Sequence, residues 1–346
     1  MSIITFIGAG QMASALTFPS FENGHTIRLV GTPLDKEIIK QLKKDDFHPT
    51  LKRKLHHGIE YYQIDQVESA IEGADAILCG VSSFGVDWFK DEILPKLNPQ
   101  VPMISVTKGM ICCPDGQLKT YVDYWKNSEA GKKLNIHAIG GPCTSYELAD
   151  KDHSWVAFCG ENIETLRYLK SLFEQEYYHI SLSTDVVGVE CAVAMKNAYA
   201  LGVTLAVGLA EKREGKGAVN YNSQAALFGQ SVKEMRALLK IVGAKDDNII
   251  YGAGDLYVTI FGGRTRMIGT LLGLGYSFDQ AMEQLQGVTL ESIVISSRTA
   301  QAIRILSSLG KVKAEDFPLL MHVDEIINQG KEVNIPWKDF EVEAFD

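Results

Sequence analysis

The sequence has few of the features that mark disulfide-stapled, metal-binding or membrane-spanning proteins. Its six cysteines lie in apolar or strand-like contexts without the paired spacing of zinc ligands, and a chain of 346 residues is too long to need a disulfide framework. They are Cys79, Cys112, Cys113, Cys143, Cys159 and Cys191. The longest apolar run, 198–210, contains Thr204 and several glycines and is shorter than the roughly 20 residues that cross a bilayer. The sequence therefore predicts reduced cysteines, no metal site and no membrane span.

An excess of positive charge is also absent. The chain carries 34 basic and 43 acidic side chains, which gives a formal net charge of −9 with histidine neutral. A general nucleic-acid binder needs a basic face to neutralise phosphates, so this balance argues against that class. The N-terminus begins directly on a strand pattern, without the basic stretch and cleavage site of a secretory signal, which predicts a cytoplasmic protein.

The pattern of apolar residues divides the chain into two parts. Up to about residue 183, short β-rich runs alternate with helix-like segments, and several runs are continuously apolar, as in a mostly parallel sheet buried on both faces. The predicted strands are 3–7, 26–30, 76–81, 103–106, 136–139, 155–159 and 179–182. The predicted later helices are 187–212, 223–242, 265–274, 277–285, 289–309 and 319–329. We predict an α/β domain over 1–185 and an all-helical domain over 186–346.

A glycine-rich turn follows the first predicted strand. Residues 8–13, Gly-Ala-Gly-Gln-Met-Ala, open a helix-like segment there, which is the context of the Rossmann dinucleotide fingerprint. Gly8 permits the tight turn, Gly10 lets the backbone approach a pyrophosphate, and Ala13 allows the strand and helix to lie close together. We expect a bound dinucleotide rather than a glycine turn without a ligand.

The end of the second predicted strand leaves the choice between NAD and NADP open. An acidic residue at that point would accept a hydrogen bond from the ribose 2′-hydroxyl of NAD. The strand instead runs into Gly31 and Thr32, and the first carboxylate is Asp35. Thr32, Arg28 and Lys36 offer groups for a 2′-phosphate, although Arg28 lies inside the strand, where a structural role explains it equally well.

Two lysines and one aspartate are candidates for proton chemistry. Lys108 follows the strand 103–106 and should project from the carboxyl edge of the sheet, where α/β proteins bind ligands. Lys196 has only apolar neighbours one helical turn away on either side, so its ammonium needs an anion if it is buried. Asp255, set between glycines and an apolar run, is the expected partner. The alternatives are lysines that reach solvent and an aspartate that caps a helix.

A second glycine pair precedes two arginines. Gly262 and Gly263 predict a flexible turn that places the guanidinium of Arg264 at the start of a helix, where it can bind an anion. Arg266 follows two positions later, and a surface role explains it equally well.

These segments, taken in order along nearly the whole chain, resemble the NAD(P)-dependent glycerol-3-phosphate dehydrogenases. The resemblance is carried by residues 8–13, 105–109, 140–142, 196–197, 254–259 and 262–264. Cys143 and Thr265 depart from the family, which usually has serine and asparagine there. The first motif also resembles pyrroline-5-carboxylate reductase, a shorter enzyme that leaves the segments of Lys196, Asp255 and Arg264 unexplained.

The resemblance implies a role for each matching position. The implied catalytic residues are Lys196, Lys108, Asp255 and Thr259. The implied cofactor contacts are Gly8, Gly10, Gln11, Met12, Ala13, Lys108, Ser145, Arg264 and Gln286. The implied substrate contacts are Lys108, Gly141, Cys143, Lys196, Asp255, Gly263, Arg264 and Thr265.

The resemblance also implies a reaction. It is hydride transfer between NAD or NADP and a small phosphorylated ketone, dihydroxyacetone phosphate, which yields sn-glycerol 3-phosphate. Lys196 would protonate the forming alkoxide, Lys108 would stabilise negative charge on the oxygen, and Arg264 would hold the phosphate. Two alternatives stay open: a dehydrogenase of another phosphorylated polyol, favoured by Cys143 and Thr265, and a non-catalytic nicotinamide-sensing protein. The sequence is compatible with a homodimer but does not determine the oligomeric state.

Overall fold

The structure is a computed structural model and describes residues 1–343. The chain forms two compact units, one of Met1–Lys108 with Thr120–Glu190, the other of Gly109–Lys119 with the chain from Cys191 onward. The strands are β1 (Ile3–Ile7), β2 (Thr26–Val30), β3 (Phe47–His48), β4 (Arg53–Lys54), β5 (Glu60–Tyr62), β6 (Ala76–Cys79), β7 (Met103–Ser105), β8 (Met110–Cys112), β9 (Leu118–Thr120), β10 (Ile136–Gly140), β11 (Ser154–Cys159) and β12 (Tyr178–Ser183).

Within residues 1–343, fourteen helices connect and follow these strands. They are α1 (Gln11–Glu22), α2 (Lys36–Asp45), α3 (Val67–Ile71), α4 (Val86–Trp88), α5 (Tyr121–Lys126), α6 (Ser145–Ala149), α7 (Ile163–Phe173), α8 (Val186–Glu214), α9 (Tyr221–Ile241), α10 (Ile249–Ile260), α11 (Gly263–Leu274), α12 (Phe278–Gln284), α13 (Glu291–Ser308) and α14 (Pro318–Gln329). Shorter helical turns lie at Ile64–Gln66, Ser83–Gly85, Phe89–Ile93, Leu94–Lys96, Gly131–Lys133, Asp246–Asn248, Ala314–Asp316 and Trp337–Phe340.

The first unit is built on an eight-stranded sheet in the order β12-β11-β10-β7-β6-β1-β2-β5. Every neighbouring pair is parallel except β10 with β11. This confirms the mostly parallel α/β sheet that the apolar runs predict. The chain builds outward from β1 to β2 on one side and from β1 to β6 on the other. Open α/β sheets bind ligands at such a reversal, beyond the carboxyl ends of the strands.

The sheet is anchored by large apolar side chains from the central strands and the helices that cover it. Phe6 of β1 and Phe158 of β11 are fully buried, and each meets the ring of Phe173 of α7 edge to face, with centroids 6.2 and 5.7 Å apart. Such pairs favour one packing arrangement beyond the area that they bury. The carboxyl ends of the strands are therefore held in fixed positions relative to the helices.

The second unit is organised around α8. This helix is long and apolar enough, by length and composition, to cross a membrane, but 83% of its most apolar 18-residue stretch is buried inside the protein. A helix that is apolar on all sides needs neighbours on all sides, and here the other helices supply them. Within the described residues it is the one helix that meets the length and composition test.

Backbone contact between α8 and α11 depends on glycine. A Cβ on Gly208 would lie 2.1 Å from the carbonyl oxygen of Thr270, and one on Gly273 would lie 2.2 Å from that of Leu205. Neither position has room for a Cβ. The two helices pack this closely because Gly208 and Gly273 have no side chain. The glycines that interrupt the helical pattern in the sequence are thus packing residues rather than breaks.

Several elements depart from the sequence-based expectation, among them β5, the pair β8 and β9, and α10. β5 forms an edge of the sheet although its residues, Glu-Tyr-Tyr, are not an apolar run. β8 and β9 form a hairpin that turns at Gly116, whose φ is +81°, and residues 109–119 of it group with the helical unit. α10 forms in a segment for which no helix is predicted, and a Cβ on its Gly252 would lie 2.5 Å from the carbonyl oxygen of Ala192. Asp255 lies in the middle of α10, so its interpretation as a helix cap is wrong.

Glu234 of α9 should make the stability of the helical unit depend on pH. Its buried carboxylate accepts hydrogen bonds from the backbone N–H groups of Leu319 and Leu320 at the start of α14, at 2.8 and 3.0 Å. Burial raises the pKa of this carboxyl from 4.5 to about 7. The unfolded chain loses this proton at a lower pH than the folded chain does. The free energy of unfolding therefore has its full value below the pKa of Glu234 in the unfolded chain, and the contribution of this group is lost as the pH rises through the pKa in the folded chain.

Equilibrium denaturation of the wild type and of Glu234→Gln, at pH values from about 5 to 8, tests this expectation. The amide keeps the volume and one acceptor oxygen but does not titrate. We expect the free energy of unfolding of the wild type, relative to the variant, to fall by up to about 1.4 kcal/mol per pH unit between about pH 5 and 7. A difference that stays constant over that range would contradict the assignment.

Candidate active site

The glycine-rich turn between β1 and α1 has the shape that a dinucleotide requires. Gly8 has a φ of +111°, and a Cβ there would lie 2.8 Å from the backbone carbonyl of Gly80. Gly10 is extended, with a φ of −72°, and a Cβ on it would meet only the Gly80 oxygen, at 3.7 Å. The two glycines therefore serve different purposes: Gly8 is required by the fold, whereas Gly10 leaves open space beside the helix.

The other residues of the fingerprint line the same turn. Ala13 packs so closely on β6 that a Cβ on Gly80 would lie 2.3 Å from its methyl group. Gln11 is exposed at the first position of α1, and its Nε2 donates to the Thr50 carbonyl at 2.9 Å. The hydroxyl of Ser145 donates to Oε1 of Gln11 at 3.4 Å, and Met12 is half-buried.

A phosphate-bearing cofactor fits this turn. The first turn of α1 contains no acidic residue, and no side chain of the described residues caps its N-terminus. Its backbone N–H groups therefore have no side-chain acceptor, and an anion at that point is stabilised by them and by the helix dipole. The open space at Gly10 gives a pyrophosphate room to approach.

Two residues that sequence reasoning missed hold the peptide groups of Ala9, inside the fingerprint. The backbone N–H of Ala9 donates to Oδ2 of Asp35 at 3.1 Å, and its carbonyl accepts from Nε2 of His48 at 2.8 Å. Nδ1 of His48 accepts from the Leu51 N–H, which assigns the proton to Nε2, and burial lowers the pKa of this histidine. The pattern Thr32-x-x-Asp35 resembles a capping box, which indicates that the Asp35 side chain turns back toward the Thr32 N–H. Nothing in the sequence indicates that His48 contacts Ala9.

Lys108 and the residues after β10 come together at the carboxyl edge of the sheet. β7 and β10 are parallel neighbours, so the segments that follow them emerge side by side. The ammonium of Lys108 donates to the carbonyl oxygen of Gly141 at 3.1 Å. Gly141 has a φ of +133°, and a Cβ there would lie 3.0 Å from Cα of Val156. Cys143 follows two positions later and is half-buried.

In the helical unit, Lys196 of α8 and Asp255 of α10 form an ion pair. Nζ of Lys196 lies 2.7 Å from Oδ1 of Asp255, and their side chains are 16% and 0% exposed. The two helices touch at Gly252 and Ala192, one turn before the pair on each helix. That close approach brings the two charged side chains together, and it requires the glycine at position 252. The lysine is thus largely withdrawn from solvent, which disfavours the alternative of an ammonium that reaches water.

Thr259 lies at the C-terminal end of α10, and α11 begins shortly after it. The Thr259 hydroxyl donates to the backbone carbonyl of Asp255 at 2.6 Å, so the structure places it one turn from the ion pair, without a bond to Lys196 in the described chain. Gly263 opens α11 with a φ of +79°. Thr265 is buried in the first turn of that helix.

Arg264 and Arg266 have different environments. Arg264 is exposed, and within residues 1–343 its guanidinium has no ion-pair partner. It lies in the first turn of α11, which contains no acidic residue, and in the described part of the chain no side chain caps this helix at Gly262. Arg266 donates to the carbonyl of Ile260 at 2.7 Å and so completes the end of α10. Only Arg264 is therefore free to meet an anion.

The remaining candidate, Gln286, is exposed in the loop between α12 and α13. No part of the described chain, 1–343, arranges three or more His, Cys, Asp or Glu side chains to hold a metal ion. All six cysteines are free thiols. The ammonium, carboxylate and guanidinium groups described above can transfer protons and bind anions.

Comparison with known proteins gives matches along the whole chain. A family model described as the NAD-dependent glycerol-3-phosphate dehydrogenase N-terminus matches residues 3–165, and one described as the C-terminus of that family matches residues 185–337. An NADP(+)-dependent glycerol-3-phosphate dehydrogenase of Archaeoglobus fulgidus is 32% identical over 335 residues, which cover 96% of each chain. An NAD(P)+ glycerol-3-phosphate dehydrogenase of Shouchella clausii is 28% identical over 315 residues, which cover 89% of this chain and 87% of the relative.

Solved structures show the same fold. Glycerol-3-phosphate dehydrogenase from Coxiella burnetii has a TM-score of 0.79 at 21% identity and covers 98% of this chain and 97% of its own. The enzyme from Plasmodium falciparum has a TM-score of 0.83 at 18% identity, with 100% and 96% covered. At these identities the likeness is one of architecture.

Proposed function

Since the chain belongs to the NAD-dependent glycerol-3-phosphate dehydrogenase family and is an NAD(P)-dependent oxidoreductase, we propose that Lys196 and Asp255 are its proton-transferring pair. The reaction interconverts dihydroxyacetone phosphate and sn-glycerol 3-phosphate. The observation that carries the assignment is the 2.7 Å contact between a mostly buried ammonium and a fully buried carboxylate. A bound nicotinamide dinucleotide supplies the hydride acceptor or donor.

Lys196 acts on the oxygen of the reacting carbon. In reduction its ammonium donates a proton to the forming alkoxide and becomes the neutral amine; in oxidation the amine takes the hydroxyl proton back. Asp255 keeps the lysine oriented and stabilises its charged form. Thr259 fixes the same turn of α10 through its bond to the Asp255 carbonyl.

Lys108 and Arg264 supply positive charge at two different oxygens. We assign Lys108, already held by the Gly141 carbonyl, to the oxygen that gains negative charge during reduction. The guanidinium of Arg264, together with backbone N–H groups at the start of α11, is assigned to the phosphate. Gly263 and Thr265 flank that position, and Thr265 offers a hydroxyl where the family usually has an amide.

The dinucleotide contacts are assigned to the turn between β1 and α1. Gly8, Gly10, Gln11, Met12 and Ala13 would hold the pyrophosphate, since this turn is open and its N–H groups lack acceptors. Ser145 is bonded to Gln11 and belongs with them, and Gln286 is assigned to the cofactor on the resemblance alone. The division into a dinucleotide-binding domain over 1–185 and a catalytic domain over 186–346, with a cytoplasmic location, is part of this proposal.

The activity is tested by following NADH and NADPH oxidation with dihydroxyacetone phosphate, against unphosphorylated dihydroxyacetone. We expect turnover with the phosphorylated ketone and a strong preference for it in kcat/KM. Wild-type protein without such a preference would contradict the assignment to glycerol 3-phosphate. Cys143 and Thr265 favour another phosphorylated polyol as the second candidate substrate, so a panel of phosphorylated ketones and aldehydes belongs in the same experiment.

Replacing Arg264 by lysine tests the phosphate site. A guanidinium meets a phosphate with two parallel hydrogen bonds, whereas an ammonium offers one compact charge. We expect the preference for dihydroxyacetone phosphate over dihydroxyacetone to shrink by roughly tenfold, equivalent to about 1.4 kcal/mol, in Arg264→Lys. Arg266→Lys is the matched control, because Arg266 bonds the Ile260 carbonyl, and it should keep the wild-type preference. An unchanged preference in Arg264→Lys would place the phosphate elsewhere.

A further inference from the structure

The short hairpin of β3 and β4 is not part of the eight-stranded sheet, but it contacts the glycine-rich turn. His48, the second residue of β3, is fully buried, and its Nε2 lies 2.8 Å from the carbonyl oxygen of Ala9. The loop of the hairpin makes a second contact, because the carbonyl of Thr50 accepts from Nε2 of Gln11 at 2.9 Å. One hairpin therefore holds the turn at its centre and at the first residue of α1.

The hydrogen bond between His48 and Ala9 has a defined direction. Nδ1 of His48 accepts from the backbone N–H of Leu51 at 3.1 Å, so in the neutral ring Nε2 carries the proton and donates it to the Ala9 carbonyl. Burial lowers the pKa of this histidine, which keeps the ring neutral at neutral pH. The other tautomer would set a ring N–H against the Leu51 N–H and leave the Ala9 carbonyl without its donor.

The Ala9 carbonyl and the Gly10 N–H belong to the same peptide group. In a trans peptide these two bonds lie in one plane and point in opposite directions, and the described chain contains no cis peptide. A carbonyl held on the side of His48 therefore directs the Gly10 N–H away from the hairpin. The preceding peptide is held as well, because the Ala9 N–H donates to Asp35 at 3.1 Å. Neither peptide can rotate without losing a hydrogen bond.

The Gly10 N–H faces open space. It has no acceptor within residues 1–343, and a Cβ on Gly10 would meet only the Gly80 oxygen, at 3.7 Å. It directly precedes the first turn of α1, whose N–H groups have no side-chain acceptor in the described chain. Successive backbone N–H groups that face one space form an anion site. The direction of the first of these donors depends on His48.

We propose that His48 is a positioning residue of the dinucleotide site: through the Ala9–Gly10 peptide it directs the Gly10 N–H toward the pyrophosphate. The proposal rests on the dinucleotide site assigned above. His48 acts through Ala9 rather than on the reacting atoms, so it should govern the affinity for the cofactor and not the chemical step. The hairpin of β3 and β4, which lies outside the glycine fingerprint, thereby takes part in cofactor binding.

Two substitutions separate the two hydrogen bonds of His48. A glutamine amide lies as far along the side chain as Nε2 and can donate to the Ala9 carbonyl, whereas an asparagine amide lies at the place of Nδ1 and can replace only the bond to Leu51. We expect calorimetric titration with NADH to give a dissociation constant within about twofold of the wild type for His48→Gln and at least about fivefold larger for His48→Asn. In both variants kcat at saturating NADH should equal that of the wild type.

His137→Asn is the matched control. It makes the same exchange at another fully buried histidine, on β10, whose Nδ1 lies 3.2 Å from the Met103 carbonyl instead of at the glycine-rich turn. It should keep the wild-type affinity for NADH whatever its thermal stability. Equal affinities of His48→Gln and His48→Asn, or weaker binding by His48→Gln, would overturn the proposal while leaving the dinucleotide site in place.

A measurement on the wild type decides the matter even if a variant does not fold. NMR of protein labelled with ¹⁵N-histidine shows which nitrogen of each ring carries the proton. We expect the His48 proton on Nε2, exchanging slowly with solvent because the ring is buried and bonded. A proton on Nδ1 would overturn the proposal. Wild-type protein that does not bind NADH would overturn the dinucleotide site itself, and this proposal with it.

Discussion

We expect Lys196→Met to lower turnover of dihydroxyacetone phosphate by a factor of roughly 10² to 10⁴ while leaving the affinity for the dinucleotide almost unchanged. Methionine keeps the unbranched shape and most of the volume of lysine, so the packing of α8 is preserved. What is lost is the ammonium assigned above as the proton donor to the alkoxide oxygen. The effect should therefore appear in kcat, measured at saturating dinucleotide and neutral pH.

The variant also removes the ammonium from the fully buried carboxylate of Asp255. Loss of one partner of a buried ion pair destabilises a protein, so thermal unfolding of the variant is measured beside its kinetics. Lys212→Met is the matched control, since Lys212 is an exposed lysine in the last turn of the same helix. Its turnover should equal that of the wild type. More than about half of wild-type turnover in folded Lys196→Met would show that Lys196 is not the proton donor.

The parts of the fold that follow from the sequence are those fixed by local apolar runs. β1 and β2 begin and end at the predicted residues: β1 has four buried residues in succession, whereas β2 alternates half-buried Thr26 and Arg28 with buried Ile27 and Leu29. β5 could not be predicted in this way, since an edge strand is held by backbone pairing to β2 rather than by apolar side chains. α10 is not among the predicted helices. Its Gly252 disfavours a helix locally, but the missing side chain allows a contact with α8, which is far away in the sequence.

In the candidate site too, some features follow from the local sequence and others do not. The ion pair of Lys196 and Asp255 is predictable because each charge stands alone on an apolar background, and burial then demands a partner. The bonds that hold Ala9 are not, because they depend on how the turn at Thr32 and the strand at His48 return to the glycine-rich segment. Residue types therefore indicate the chemistry, while the hydrogen bonds that hold the glycine-rich turn become visible only in the packed chain.

The second large effect is expected at Gly10. Gly10→Val should abolish measurable binding of both NADH and NADPH, because its branched side chain would occupy the space through which a pyrophosphate approaches α1. The fold should survive, since the φ of −72° suits any residue and a Cβ meets only the Gly80 oxygen at 3.7 Å. Gly8 would be a poor choice for this test, because a side chain there collides with the backbone of Gly80 and loss of binding would follow from misfolding.

Gly229→Val is the control for the substitution itself. Gly229 is exposed on α9, and a Cβ there has nothing within 4 Å, so the same two methyl groups are added without touching a ligand or the core. Calorimetric titration with each dinucleotide should give wild-type affinity for Gly229→Val and no detectable heat of binding for Gly10→Val. Both variants should unfold cooperatively in the absence of dinucleotide. A dissociation constant for Gly10→Val within about threefold of the wild type would mean that the pyrophosphate does not pass over Gly10, and that the turn after β1 is not the dinucleotide site.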